Sequence, residues 1–335
     1  MTPTGPFGLW RVHHTAFSAE ALAALKDATT VSVCLPARDE ARTVGRIVET
    51  IRAELVERVK LVDEIVVIDD RSSDATAGVA ASAGATVVAV AHTARSGKGV
   101  AMATAVAKSI GDVLVFCDAD VENFASHFVV GLLGPLLCDS AVGFVKGTYR
   151  RPLAGVPGEG GRVTELTAKP LLELLHPQVA HFDQPLAGEV AIRRSVIEAL
   201  SLPADYGVDV ALLIDVVQRI GLGAMAEVDL GERVHRNRPL SELAPQARSV
   251  VRAILARAGV DGGVEAPLGR RLRRFEASSL DVSGATTSEA AGEAGPSVAR
   301  PEGPAAPWAA NGRPRREDET KRAVRIGDNP GPKIG

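Results

Sequence analysis

A chain of 335 residues suffices for one large or two modest domains and a sizeable buried core. Its 46% hydrophobic and 24% charged residues are those of a globular protein, and a net charge of −3 argues against nucleic acid as a main partner. The opening MTPTGPFGLWRVHHTAF has no basic segment followed by an apolar run, and the longest apolar stretch, 128–138, is too short to span a bilayer, so a cytoplasmic protein is expected.

In chain order, residues 1–29 form a lead-in with a helix expected over 19–28. From Val31 an apolar run leads into Pro36, the pattern of a buried strand opening into a loop. Residues 41–59 place apolar side chains at helical spacing. A second buried strand, 64–70, precedes a helix over 72–84 with Ser72 or Ser73 as cap and Gly84 as stop. A third strand (85–91), a helix (97–111) and a fourth strand (112–120) follow. Four strand–helix alternations predict an α/β fold with a mostly parallel sheet flanked by helices, whose ligands bind at the carboxyl ends of the strands. Pro36 to Glu40, Asp69, Asp70 and Asp118 to Asp120 then share one rim.

Beyond 140 the pattern is mixed: a strand over 141–150, a glycine-rich turn at 158–162, a helix over 164–175, a late strand over 226–235 and a helix over 241–259. From about Gly259 periodicity vanishes and Gly, Ala, Pro, Ser, Glu and Arg dominate; residues 276–335 are expected to be disordered. Cys34, Cys117 and Cys138 form no C-x-x-C pair and read as buried, reduced thiols.

Four motifs carry chemistry. Asp118-Ala119-Asp120, just past an apolar strand, offers two carboxylates to a hard cation such as Mg2+ or Mn2+, which prefers oxygen ligands and is usually shared with substrate phosphates; the bland alternative is one helix cap and one solvated acid. Pro36-Ala37-Arg38-Asp39-Glu40 lacks the glycines and lysine of a P-loop or a dinucleotide fingerprint, which argues against kinase, ATPase and dehydrogenase readings. Ser96-Gly97-Lys98-Gly99 brings a lysine to a helix amino terminus, a favourable place for phosphate, unless it is a plain turn with a solvated lysine. Gly161, Arg162 and Thr164 ahead of a helix would form a pocket for a small acid, with capping by Thr164 and a surface Arg162 the alternative. His235 stands among Arg233, Arg236 and Arg238, neighbours that disfavour its protonated form, and neutral imidazole is what a metal needs. His13, His14, His92, His127, His176 and His181 read as structural or surface residues, and Arg270 to Arg274 as a solvated basic run.

The order of PAxxE, IDD, SGKG, DAD, GEGGRVTEL, QPLAGE, YGVD and HRNRPL, spread over about residues 15–258, resembles the nucleotide-diphospho-sugar glycosyltransferases of the GT-A fold, and within them the actinobacterial glucosyl-3-phosphoglycerate synthases. The resemblance implies a nucleotide-sugar-binding domain over 30–140, an acceptor-binding region over 141–258, and a low-complexity tail, 259–335, outside the family core. It implies retaining transfer of glucose from UDP-glucose to 3-phosphoglycerate, an early step towards methylglucose lipopolysaccharides, by a homodimer. Pro36, Ala37, Arg38, Glu40 and Asp70 would hold the nucleotide, with Lys98, Asp118 and Ala119. Leu186, Ala187, Gly188, Tyr206 and Asp209 would line the sugar, while Arg233 and Arg238 would face the diphosphate. Gly161, Arg162, Thr164 and Asn237 would hold the acceptor, Asp120 and His235 would ligate Mg2+ or Mn2+, and Asp120, Asp209 and Lys98 would be the catalytic set. Asp39, Asp70 and Asp209 depart from the Asn, small residue and Glu that relatives carry, which leaves GDP-glucose or another hexose as alternative donors. Two other readings stay open: a family-2-like transferase with another acceptor, such as polyprenyl phosphate, and a non-catalytic sugar-nucleotide-binding protein.

Overall fold

A computed structural model describes residues 8–91, 96–151, 161–234 and 240–260. The readings placed on His92, the glycine turn before Gly161, His235, Asn237, Arg238, the basic run and the tail lie outside the described residues.

The expected alternation is present. Strands β2 (Val31–Ala37), β3 (Glu64–Asp69), β4 (Thr86–Ala89) and β5 (Val113–Phe116) alternate with helices α2 (Val44–Ile51), α3 (Thr76–Ala83) and α4 (Lys98–Lys108), after β1 (Trp10–His13) and α1 (Ala19–Leu25). Then come α5 (His127–Cys138), β6 (Phe144–Arg150), α6 (Lys169–Leu175), β7 (Val190–Arg193), α7 (Arg194–Ile197), α8 (Val208–Ile220), β8 (Met225–Glu232) and α9 (Leu240–Arg257). The eight strands form one sheet in the order β1-β8-β6-β7-β5-β2-β3-β4, and all neighbours are parallel except β7, which is antiparallel to both β5 and β6. Strands from both halves of the chain therefore share one sheet.

The sheet separates two apolar layers. Val31, Val33 and Leu35 of β2 face one layer, with α1, α2 and α5; Cys34 faces the other, with α4 and α8. Period-2 alternation produces this split, and because both faces are covered the strand reads as one continuous apolar run. β2 lies between β3 and β5, so the strand order reverses at β2, and the crevice at such a reversal is where open α/β sheets bind ligands.

Several elements were not legible. β1 is a four-residue strand with a half-exposed pattern and no apolar run. α5 is buried on nearly every side, so its sequence has no amphipathic period. β7 is likewise short, and α8 is buried on nearly every side over 208–217.

Two local expectations need correction. Gly84 ends α3 at φ +103°, but neither serine caps its start; the N-cap is Ala75, with no side-chain hydrogen bond. Ser73 is used elsewhere: its backbone N–H and hydroxyl donate to Asp39 Oδ1 at 2.6 and 2.9 Å. Asp39 has φ +57°, a left-handed conformation that Asp and Asn tolerate, and it ties the loop after β2 to the loop after β3. Cys34 and Cys117 are buried, and burial pushes the Cys34 thiol up to about 12. Cys138 is exposed, because it is the last residue of α5 and turns out from the layer that the rest of the helix fills. Among the described residues no helix is long and apolar enough to cross a membrane.

Candidate active site

A cleft of about 250 Å³ opens over the carboxyl ends of β2, β3 and β5. Pro36, Ala37, Arg38, Glu40 and Asp70 line one end, Asp118, Ala119 and Asp120 the middle, and Gly161, Arg162 and Thr164 the other end; Lys98, Leu186, Tyr206, Asp209 and Arg233 also face it. Residues more than a hundred positions apart thus meet in one cavity.

The strand ends fix the geometry. Cys117 N–H donates to Cys34 O at 3.2 Å, prolonging the β5–β2 ladder into the D-x-D turn, and Thr43 Oγ1 pins the Ala119 carbonyl at 2.6 Å. Asp70 N–H donates to Ala37 O at 2.8 Å, so the β2 and β3 loops leave the sheet side by side.

The acids in the middle of the cleft are tied into an ionic network. One nitrogen, Arg233 Nη2, donates to Asp118 Oδ2 at 2.8 Å and to Asp120 Oδ1 at 2.7 Å. Arg233 Nε is 3.0 Å from Glu189 Oε1, and these side chains are 3% and 0% exposed. Tyr149 Oη donates to Glu189 Oε2 at 2.7 Å. Lys98 Nζ donates at 2.9 Å to both Asp118 Oδ1 and Asp209 Oδ2. Burial disfavours the Lys98 ammonium, but Asp118 and Asp209 outweigh it and hold its pKa above the usual lysine range. Burial likewise opposes the charge on Asp118; Lys98 and Arg233 more than offset it and hold the carboxyl below the usual range.

Two side chains are placed differently from what their motifs suggested. Lys98 is no mobile surface charge: its side chain is 13% exposed and bridges two carboxylates. The glycines beside it serve close packing, since a Cβ on Gly99 would overlap the Pro203 carbonyl, and Val100 N–H donates to Ala204 O at 3.1 Å. Arg233, assigned to the diphosphate, lines the cleft and bonds the carboxylates that would hold the metal. Ala187 points its methyl into the core; its carbonyl accepts from Lys146 Nζ at 2.9 Å and its N–H donates to Gln184 O at 3.0 Å. Lys146 is fully buried and burial brings its ammonium down to about 8.

Gly188 does need to be glycine. A Cβ there would overlap Asp118 Oδ1 and lie 2.5 Å from Lys98 Nζ. Gly188→Ala is expected to split the Lys98–Asp118 pair and cut kcat by about 100-fold or more, a loss of roughly 3 kcal/mol, with no gross unfolding; near-normal kcat in the purified variant would refute this.

Sequence reasoning missed Lys146, Tyr149, Arg151 and Glu189. The signal was there in part: charged residues inside the apolar runs FVKGTYR and GEVAIR, where a buried charge implies a partner.

The residues present suit a hard cation. Asp118 and Asp120 already converge on one positively charged nitrogen, and carboxylate oxygens are the ligands that Mg2+ and Mn2+ prefer. Among the described residues no third His, Cys, Asp or Glu completes such a cluster, and His235 lies outside them.

This sheet, with an acidic D-x-D turn beneath a cleft at its reversal point, defines a nucleotide-sugar glycosyltransferase of the GT-A type, and residues 32–150 match the family Glycosyl transferase family 2. Glucosyl-3-phosphoglycerate synthase of Mycolicibacterium paratuberculosis is 44% identical over 257 residues, covering 72% of this chain and 77% of that protein. The crystal structure of glucosyl-3-phosphoglycerate synthase from Mycobacterium tuberculosis in complex with Mn2+, UDP-glucose and phosphoglyceric acid is 39% identical with a TM-score of 0.70, covering 76% of this chain and 89% of that one. Mannosyl-3-phosphoglycerate synthase from Rubrobacter xylanophilus is 41% identical with a TM-score of 0.71, covering 81% and 85%. The chain belongs to the glucosyl-3-phosphoglycerate synthase family.

Proposed function

We propose that this protein transfers glucose from UDP-glucose to 3-phosphoglycerate with retention of configuration, giving glucosyl-3-phosphoglycerate at an early step of methylglucose lipopolysaccharide synthesis. The observation that carries the reading is the single cleft that runs from the β2 and β3 loops, past Asp118 and Asp120, to Gly161, Arg162 and Thr164. Neighbouring strands lie about 4.8 Å apart, so Asp70, two strands from the D-x-D, stands roughly 10 Å from it, the reach of a ribose between base and diphosphate.

In this reading Pro36, Ala37, Arg38, Glu40 and Asp70 hold the uridine, and Leu186, Gly188, Tyr206 and Asp209 hold the glucose. Asp120 with Asp118 and, outside the described residues, His235 would hold Mg2+ or Mn2+, which screens the charge that develops on the leaving diphosphate. Arg162, Thr164 and the backbone at Gly161 take the acceptor, joined by Asn237, and Arg238 takes the diphosphate. The cleft carboxylates Asp118, Asp120 and Asp209, and the fully buried Glu189, are all engaged by Lys98 or Arg233. None is poised as a nucleophile, which favours front-face attack: the acceptor hydroxyl enters on the side the diphosphate leaves, and a departing phosphate oxygen takes its proton. The protein then supplies position and fixed charge. A cytoplasmic homodimer completes the proposal.

A second reading, mannosyl transfer, is favoured by the comparable similarity to the Rubrobacter xylanophilus enzyme. A panel of UDP- and GDP-linked glucose and mannose with 3-phosphoglycerate, read by product NMR, separates the two. Glucosyl-3-phosphoglycerate from UDP-glucose is the expected main product; a mannosyl product, or none, would overturn the first reading.

A further inference from the structure

Arg151 follows β6 and lines the cleft beside Arg162 and Thr164. Among the described residues its side chain makes one hydrogen bond, from Nη2 to Tyr149 Oη at 2.7 Å. Its guanidinium also packs 4.9 Å from the centre of the Tyr149 ring, whose other neighbour is the Arg233 guanidinium at 5.4 Å. Arg151 Nε is buried and makes no hydrogen bond. Arg233 has three carboxylates and Arg257 has both oxygens of Asp215, whereas no carboxylate among the described residues lies within ion-pair distance of Arg151. A part-buried guanidinium held by a tyrosine, with no carboxylate among the described residues in ion-pair contact, is set up to take an anion.

The position matches. A Cβ built on Gly161 would lie 3.8 Å from Arg151 Nη1 and 3.8 Å from Thr164 Oγ1, so both groups look into the same space over Gly161. An acceptor bearing a phosphate and a carboxylate has roughly three negative charges at neutral pH, more than Arg162 alone can match.

We propose that Arg151 is a second anion-binding residue of the acceptor site, taking one of the two acidic groups of a phosphorylated hydroxy acid. The proposal rests on the acceptor reading above. It also gives the acceptor end a direct line to the D-x-D: Arg151 donates to Tyr149, Tyr149 to Glu189, and Arg233 joins Glu189 to Asp118 and Asp120.

Calorimetric titration of the full chain with 3-phosphoglycerate, and separately with UDP plus Mn2+, tests this. Arg151→Gln is expected to bind 3-phosphoglycerate about 10- to 100-fold more weakly, the loss of a charged hydrogen bond, while UDP affinity changes by less than about threefold. Glycerol 3-phosphate and glycerate, each lacking one acidic group, then show which group is read: the penalty persists for the analogue that keeps it. Unchanged 3-phosphoglycerate binding, or equal loss of UDP, overturns the proposal. Should the glutamine variant not fold, Arg151→Lys carries the test, with selective weakening expected and wild-type affinity contradicting it. Wild-type protein that binds UDP but not 3-phosphoglycerate would instead defeat the acceptor reading itself.

Discussion

Replacing Asp120 with alanine is expected to lower turnover by roughly 1000-fold, a loss of about 4 kcal/mol of transition-state stabilisation, while leaving the protein folded. Asp120 is at the rim, and without it Arg233 still has Asp118 and Glu189 as partners, so no buried charge is orphaned. What disappears is one of the two carboxylates that converge on a single point. Donor binding in the presence of Mn2+ should weaken, and His235→Ala should show the same pattern more mildly, with partial rescue at high Mn2+. Steady-state kinetics with a thermal melt reads both halves: near-wild-type kcat denies Asp120 its role, and a collapsed melting temperature moves that role into the fold.

Lys98→Met is expected to harm stability and activity together. Lys98 is the shared partner of Asp118 and Asp209, and deleting one member of a buried ion pair typically costs about 3–5 kcal/mol because the remaining charge loses its counterion. The pH dependence follows from the direction of each shift. Lys98, with its pKa raised, keeps its contribution until pH climbs beyond the ordinary lysine range; Asp118, with its pKa lowered, keeps its contribution until pH falls below the ordinary carboxylate range. In wild type this pair therefore adds little slope between about pH 5 and 8. In the variant Asp118 keeps Arg233, but Asp209 loses its ion-pair partner and relieves itself by taking up a proton, so the deficit should be smaller at pH 5 than at pH 8. Urea titrations at the two pH values would show it; an equal deficit at both contradicts the ion-pair origin.

The part of the site carried by local pattern was open to reading. An apolar run followed by acids announces a buried parallel strand and its ligand-facing end, so Asp70, Asp118 and Asp120 could be set on one rim without coordinates. Gly188 and Asp209 came only through family resemblance, because β7 and α8 have no readable period and nothing local tells which way their ends face. Arg151, Tyr149, Glu189 and Lys146 were not found at all. Three of them gain their meaning from a partner many residues away: Tyr149 on β6 meets Glu189, just ahead of β7, and Lys146 reaches a carbonyl 41 residues on. For Arg233 the residue was picked out and its partners were not. A run of arginines suggests phosphate, and only the folded sheet brings Asp118, Asp120 and Glu189 around one of them.

Turnover by EDTA-treated protein is the decisive number. The chain should convert UDP-glucose and 3-phosphoglycerate to glucosyl-3-phosphoglycerate only after Mg2+ or Mn2+ is returned, with an α-anomeric signal in the product NMR spectrum. Full turnover in EDTA would contradict a metal held at Asp118 and Asp120, and with it the proposed transfer.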